Sequence, residues 1–238
     1  RCQSVTGVQT CALPIWLWGA TARERVLRRM VNAGEASRLV APDLRLVVSA
    51  LAVDTGRITH FVSGPPPEPV FVQRLEAELG EVVYLREPGE VLTAAVASSA
   101  IPGIFEPVRV RGRDFVDAGG FTNQPLHVAL AADADAVLVV LLSPSGRPSV
   151  APYPESLFAL AGRLLEVANW RDMQTELRQL PEGWSREARP SRLCVVEPDD
   201  ALPGGVLGFD PEQAGTLIAR GEQDAWAALE RAGWLAPV

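Results

Sequence analysis

Residues 98–126 have the sequence SSAIPGIFEPVRVRGRDFVDAGGFTNQPL. The segments PVRV and DFV on either side of Gly112 predict two short strands joined by a tight turn, and the second strand ends at Asp117. A carboxylate there lies at the carboxyl end of a strand, where α/β proteins commonly place ligands. The small residues Ala118-Gly119-Gly120 let a substrate or another backbone approach closely. Asp117 is therefore either an acid or base in a tight turn, or a turn aspartate that hydrogen-bonds its own backbone, and the tripeptide alone favours the turn aspartate.

Outside this stretch, short apolar segments alternate with segments of helical periodicity, which predicts an α/β fold with a sheet covered by helices on both faces. We expect strands at 44–53, 58–63, 107–110, 114–117, 136–142 and 192–198, and helices at about 21–31, 70–79, 90–99, 124–132, 155–180 and 210–232. The turn residues Asp54-Thr55-Gly56-Arg57 between the first two strands predict a hairpin. The apolar run at 136–142 is the strongest candidate for a buried strand. No internal repeat or long linker is visible, so a single domain is expected.

Composition excludes several classes of function. The chain has 238 residues, 47% of them hydrophobic, and a net charge of −7, so a basic surface for nucleic acid is not expected. All 22 basic residues are Arg, which rules out Schiff-base chemistry on Lys. No nucleotide motif or metal-ligand cluster is visible, so we expect no cofactor and no metal.

The residue usage also bears on the source and location of the protein. Arg, Ala, Gly and Pro use GC-rich codons, which indicates a bacterial source. Cys194 lies in the apolar run LCVV and is expected to be a buried thiol, which fits a reducing cytoplasm. No run of apolar residues is long enough to span a membrane, and the negative charge opposes attraction to anionic lipids. A peripheral membrane contact through apolar surface remains open.

The first fifteen residues are expected to lie outside the fold. The chain starts with Arg1 rather than Met, and Val5–Ile15 is similar to the translation of a sequencing adapter. We therefore interpret residues 1–15 as an artefactual leader and residues 16–238 as the genuine chain. The alternative is a secretory signal, because CALPIWLWGATA contains an apolar stretch and a small-residue site.

The wider sequence around Asp117 resembles the patatin-like phospholipase family. Ala97–Phe105 is similar to the family's A-S-x-A-I-P-G-x-F segment, Asp117-Ala118-Gly119 to its D-G-G or D-G-A motif, and Asn123-Gln124-Pro125 to its N-x-P segment. Further similarity extends over Leu44–Ala228 in the right order. The resemblance implies a three-layer fold with a central, mostly parallel sheet flanked by helices and truncated at its N-terminus. Ala118 replaces the first Gly that follows the Asp in the family's motif. The Cβ of Ala is tolerated at this position only if the φ of Ala118 is negative.

The resemblance also implies an activity, the hydrolysis of phospholipids or other acyl lipids by a Ser–Asp dyad. Asp117 would be the base of that dyad, and the residues of the surrounding motifs that support it are Ala118, Gly119, Asn123 and Pro125. In the family, the nucleophilic Ser lies on a G-x-S-x-G elbow upstream of the Asp, near a glycine-rich oxyanion loop. No G-x-S-x-G occurs in these residues, so the chain is expected to be a fragment without turnover of its own. We expect Asn123 to hydrogen-bond the turn that holds Asp117.

Alternatives to this function remain open. One is a non-catalytic patatin-like domain that binds lipid or a partner, and another is lipid acyl transfer instead of hydrolysis. Ser98 and Ser99 are candidate nucleophiles, but their place at the end of an apolar helix favours capping. His127 is expected to have a helix-surface or packing role, because a lone His without an identified partner is weak evidence for catalysis, and His60 lies in a predicted strand. Asp199-Asp200 resembles a carboxylate pair, although an exposed loop fits better.

Overall fold

The computed structural model describes residues 3–5, 8–10, 18–31, 33–77, 80–146, 155–181, 184, 191–200, 202 and 210–235. Its elements are β1 (Gln3–Val5), β2 (Val8–Thr10), α1 (Ala20–Met30), α2 (Ala33–Arg38), β3 (Leu46–Ala52), β4 (Ile58–Ser63), α3 (Pro69–Ala77), β5 (Gly80–Tyr84), α4 (Pro88–Ser98), β6 (Val108–Val110), β7 (Arg113–Asp117), α5 (Leu126–Ala131), β8 (Val137–Val140), α6 (Leu157–Arg178), β9 (Leu193–Val196) and α7 (Pro211–Ala232). Residues 1–119 and 120–238 form two compact units. β1 and β2 pair in antiparallel orientation. That residues 1–15 are an artefact and residues 16–238 one partial domain stays a prediction.

The first unit contains a five-stranded sheet in the order β5-β4-β3-β7-β6. β3 and β4 form the predicted hairpin, in which Ala50 lies opposite Thr59. β6 and β7 form the second predicted hairpin, on either side of Gly112. β5 was not predicted, because its short run GEVVY follows a helical pattern without a turn signal.

The α/β class is confirmed, since α4 packs against β3, β6 and β7, and α3 packs against β5. Strand directions in the described part of this sheet are mixed rather than mostly parallel. β4–β5 is parallel, whereas β3–β4, β3–β7 and β6–β7 are antiparallel. Two of the antiparallel pairs are hairpins, and a short turn can join only antiparallel neighbours.

The core of the first unit lies between α4 and the sheet. Phe61 and Phe115 meet edge to face with ring centroids 5.0 Å apart, and each is 2% exposed. Such aromatic pairs contribute about 0.5–1.5 kcal/mol beyond the apolar area they bury. Side chains two residues apart lie on one face of a strand, so Asp117 lies on the same face of β7 as Phe115. The sequence therefore anchors the candidate base by the buried aromatic residue two positions before it.

The second unit pairs β8 with β9 in parallel. Val139 of β8 packs with Leu126, Met173 and Leu193 in a buried cluster. The expectation of a buried strand at 136–142 holds for only one of its faces, because Val139 and Leu141 are buried whereas Leu138 and the other alternate residues are exposed. Alternation along a strand places only every second side chain in a core formed on one face.

The second described strand of this unit, β9, is buried throughout. Cys194 in β9 is a buried thiol, 1% exposed, packed with Ala228 and Ala232 of α7. The prediction of a buried thiol at this position is confirmed.

Candidate functional site

Asp117 is the last residue of β7, in the first unit. It lies opposite Ala50 of β3, and its N–H donates to the carbonyl oxygen of Ala100 at 2.9 Å. Ala50 and Ala100 are both completely buried. The strand end and the segment after α4 therefore hold the Asp117 backbone from two sides.

The Asp117 carboxylate makes one hydrogen bond within the described residues. Its Oδ1 accepts the Gly119 N–H at 2.7 Å, which closes a local turn. This bond is the one expected of a turn aspartate, and it also fixes the orientation of a catalytic carboxylate. Oδ2 has no hydrogen-bond partner in the part of the chain that the structure describes, so one carboxylate oxygen is left to accept a proton.

Ala118 fits the turn without strain. It is 2% exposed, and among the described non-glycine residues only Arg111 and Asp133 have positive φ. The requirement for negative φ at Ala118 is therefore met, and its methyl group packs in the interior. The departure from the family's glycine does not disturb the backbone at this position.

The electrostatic environment of Asp117 favours a stronger base than a solvated aspartate. Burial raises the pKa of Asp117, while the Gly119 N–H and the positive charge of Arg23 act in the opposite direction. Burial is the larger effect, because desolvation penalises the charged form of a carboxyl group. A raised pKa brings a carboxylate closer to the range in which general bases work at neutral pH.

The segment between α4 and β6 supports this site. Gly103 has φ of 78°, a left-handed conformation that glycine adopts without a Cβ penalty. Ser99 is the C-cap of α4, and its hydroxyl donates to the carbonyl of Val96 at 2.9 Å. The capping role expected for Ser99 is thus observed, and its hydroxyl is already engaged in helix termination.

The later motif residues belong to the second unit. The Asn123 N–H donates to a carboxylate oxygen of Asp172 on α6 at 3.1 Å, and Pro125 is the N-cap residue of α5. Burial raises the pKa of Asp172, against the lowering effect of the Asn123 N–H. Sequence reasoning did not identify Asp172, because nothing in the amphipathic pattern of α6 distinguishes it from the other polar residues of that helix. The predicted bond from Asn123 to the Asp117 turn stays a prediction.

Both histidines make structural contacts. His60 is 1% exposed, and its Nδ1 lies 2.9 Å from Ser49 Oγ on the neighbouring strand. His127 Nδ1 lies 2.6 Å from Glu176 Oε1, and the His127 N–H donates to the other oxygen of that carboxylate at 2.9 Å. The pairing of His127 with Glu176 of α6 agrees with the packing role expected for His127 from the sequence. Asp199 and Asp200 are exposed in a bend after β9, as expected of a polar loop.

The second unit also contains a small cavity of about 70 Å³. Its walls are Asn123, Gln124, Leu141, Ser143, Pro144, Ser145, Glu166, Asn169, Trp170 and Met173. The volume is room for a few water molecules, since one water needs about 10–15 Å³. No group of three or more His, Cys, Asp or Glu in the described residues could hold a metal ion.

None of the described helices is long and apolar enough to cross a membrane.

The fold and the Asp117 carboxylate define an α/β protein with a candidate general base at a strand end. The family model for patatin-like phospholipase matches residues 11–130, half of the chain, and this range includes α4, β7 and the Asp117 turn. The chain belongs to the patatin-like phospholipase family, whose members are typically lipid acyl hydrolases. A search of curated proteins found no match.

Proposed function

We propose that this chain is part of a serine acyl hydrolase that cleaves ester bonds of phospholipids or other acyl lipids, with Asp117 as the base of a Ser–Asp dyad. The position of Asp117 is the observation that carries the proposal. Its Oδ1 is fixed by the Gly119 N–H at 2.7 Å, burial raises its pKa, and Oδ2 has no partner among the described residues. The family match over this turn adds lipid esters as the substrate class.

The nucleophile in this proposal is a serine on a G-x-S-x-G segment of the protein that precedes these residues. The sequence contains no such motif, so we predict that the 238 residues alone do not turn over substrate. Asp117 Oδ2 would take the proton of the serine hydroxyl as its oxygen attacks the ester carbonyl. The same proton would pass to the departing alcohol, which leaves an acyl-serine.

Water completes the reaction in the second half. Asp117 would take a proton from water as the hydroxyl adds to the acyl-serine, and the serine oxygen would recover that proton when the fatty acid leaves. Acyl transfer to an alcohol follows the same steps with an alcohol in place of water. Backbone N–H groups of a glycine-rich loop would stabilise the negatively charged oxygen of each tetrahedral intermediate.

The place of action in this proposal is the cytoplasm of a bacterium, with peripheral contact at a membrane that supplies the acyl lipid. The net charge of −7 favours contact through apolar side chains over attraction to anionic headgroups. A non-catalytic lipid- or partner-binding domain is the second candidate. The Asp117–Gly119 hydrogen bond supports it, because a purely structural turn aspartate makes the same bond.

The experiment starts with the sequence of the source locus upstream of Trp16. An in-frame glycine-rich loop followed by G-x-S-x-G is the expected result, and the protein so encoded should release fatty acid from phospholipid vesicles. The matched control for Asp117→Asn is Asp114→Asn on the same strand, since Asp114 is an exposed carboxylate. Loss of hydrolysis in the first variant and retention in the second support the proposal. An elbow without serine, or an active Asp117→Asn enzyme, would leave the binding domain as the better account.

A further inference from the structure

One arginine of α1 ties together both ends of the segment between α4 and β6. Arg23 Nη1 donates to the Val96 carbonyl at 3.1 Å and to Ser99 Oγ at 3.0 Å. Its Nη2 donates to the Glu106 carbonyl at 3.4 Å, and the guanidinium lies 4.1 Å from the centroid of the Phe105 ring. A guanidinium presents its donors in a fixed fork, so these contacts set the distance between the end of α4 and the start of β6.

The segment that Arg23 ties is the one that holds Asp117. Ala100 follows directly after Ser99, and its carbonyl accepts the Asp117 N–H at 2.9 Å. Within the segment, the Phe105 N–H donates to the Ile101 carbonyl at 2.9 Å. Movement of the segment relative to α1 would therefore move the carbonyl that fixes the Asp117 backbone.

The partial burial of the charged Arg23 side chain is energetically unfavourable. Burial lowers the pKa of Arg23, and its Nε is buried without a hydrogen-bond partner among the described residues. Desolvation of a guanidinium is unfavourable, and an apolar side chain of similar length would fill the space without that cost. The charged side chain at position 23 therefore has a role beyond packing. The opposite charges of Asp117 and Glu106 both act on Arg23 and raise its pKa.

The other charged groups on elements packed against β7 are engaged elsewhere in the first unit. β3 has no titratable side chain, Glu90 of α4 pairs with Arg111 at 2.9 Å, and Arg109 of β6 donates to the Gly112 carbonyl at 2.9 Å. On β7 itself, Arg113 pairs with Asp54 and Glu81, and Asp114 lies 3.8 Å from Arg109. The positive charge that acts on the Asp117 carboxylate comes from Arg23.

We propose that Arg23 is a positioning residue of the Asp117 site: its guanidinium fixes the segment that holds the Asp117 backbone and supplies the positive charge that acts on the carboxylate. The mechanistic part of this inference rests on the proposed function, in which Asp117 is the base. A base must lose its proton before it can act, and a nearby positive charge favours the ionised form of a carboxyl group. Arg23 therefore acts in the opposite direction to the burial that raises the pKa of Asp117.

The first test needs no enzymatic activity. The side-chain carboxyl carbon of Asp117 is titrated by NMR in the chain as it stands, in Arg23→Met and in Arg23→Lys, with Asp117→Asn used to assign the signal. Removal of the positive charge in Arg23→Met should raise the pKa of Asp117, and Arg23→Lys should keep it near the value of the unmodified chain. Arg25→Met is the matched control, because Arg25 is an exposed arginine on the same helix. An unchanged pKa of Asp117 in Arg23→Met would overturn the proposal.

A measurement on the unmodified chain covers the case in which Arg23→Met does not fold. The ¹⁵N shift of Arg23 Nε should follow the titration of Asp117 and should lose this step in Asp117→Asn. A shift that is flat through that titration would contradict the proposed charge pairing.

The second test uses the protein that carries the nucleophilic serine. Arg23→Met should lower kcat by about tenfold or more with little change in KM, and the acidic limb of its pH–rate profile should move to higher pH. Arg23→Lys should restore the acidic limb but not the whole of kcat, because it keeps the charge and loses the fork. A fall in kcat with an unmoved limb would reduce Arg23 to a structural residue. Absence of any hydrolysis would refute the proposed function and leave the NMR result to decide the role of Arg23.

Discussion

Asp117→Asn should stabilise the folded chain at about pH 7.5, whereas Asp117→Ala should destabilise it. Asn keeps an oxygen that accepts the Gly119 N–H, which now binds Oδ1 at 2.7 Å, and it removes a desolvated charge. Ala removes the acceptor as well and leaves that N–H without its partner, at a cost of about 1 kcal/mol for a half-buried group. The stabilisation by Asn is smaller than about 1 kcal/mol, since solvent still screens a partly buried carboxylate and Arg23 loses its counter-charge.

The pH dependence of this difference gives a second, independent readout. Burial raises the pKa of Asp117, so the folded state holds the proton more tightly than the unfolded state. The stability linked to this group is fully present below the ordinary aspartate pKa and is lost as the pH rises through the raised pKa. The advantage of Asn over Asp should therefore appear as the pH rises through this range and then remain constant.

Urea denaturation of the three chains at several pH values measures both quantities. A 1 kcal/mol change corresponds to a Tm shift of about 2–4 °C for a protein of this size, so thermal melts provide a check. If Asn destabilises the chain at neutral pH as much as Ala does, Asp117 is a turn residue whose ionised form stabilises the fold. That result, or a difference that does not vary with pH, would refute the reasoning that Asp117 is a desolvated base.

Three further substitutions test local structure. Gly103→Ala should lower the free energy of unfolding by about 1–2 kcal/mol in urea denaturation, because its φ of 78° is strained for Ala. Steric overlap adds nothing to this cost, since no atom lies within 4 Å of the added Cβ. Gly64→Ala should give a much larger loss or no folded protein, since its Cβ would overlap the Leu44 carbonyl; equal costs at the two glycines would contradict this account. Glu176→Gln should destabilise the chain by about 1 kcal/mol, because its carboxylate binds both the His127 N–H and Nδ1, and an unchanged unfolding midpoint would show that these contacts are not stabilising.

The parts of the fold with strong local signals were predictable from the sequence. The turn at residues 54–57 and Gly112 predicted two hairpins, and both are present. Strand directions across the sheet were less accessible, because the pairing of β3 with β7 joins segments far apart in sequence. β5 has a run too short for periodicity to identify, and the exposure of alternate residues in β8 depends on which face its neighbours cover.

The candidate site shows the same difference between local sequence signals, which are predictable, and long-range contacts, which are not. Asp117 could be proposed as a candidate base from its motif, because the motif consists of residues that are adjacent in sequence. Arg23 could not be singled out in this way, since TARERVLRRM contains four arginines and only tertiary packing distinguishes Arg23 from the other three. Asp172 was missed for the same reason, as its contact with the Asn123 N–H joins residues far apart along the chain.

The central claim is that Asp117 is the general base of an acyl hydrolase, and the most direct test is the kcat of Asp117→Asn in the protein that includes the G-x-S-x-G serine. Release of fatty acid from phospholipid vesicles is measured beside Asp114→Asn as the control. We predict a loss of kcat of about 10²–10⁴-fold for Asp117→Asn with KM nearly unchanged, and less than about a twofold change for the control. A kcat for Asp117→Asn within about threefold of the unmodified enzyme would contradict the assignment of Asp117 as the base.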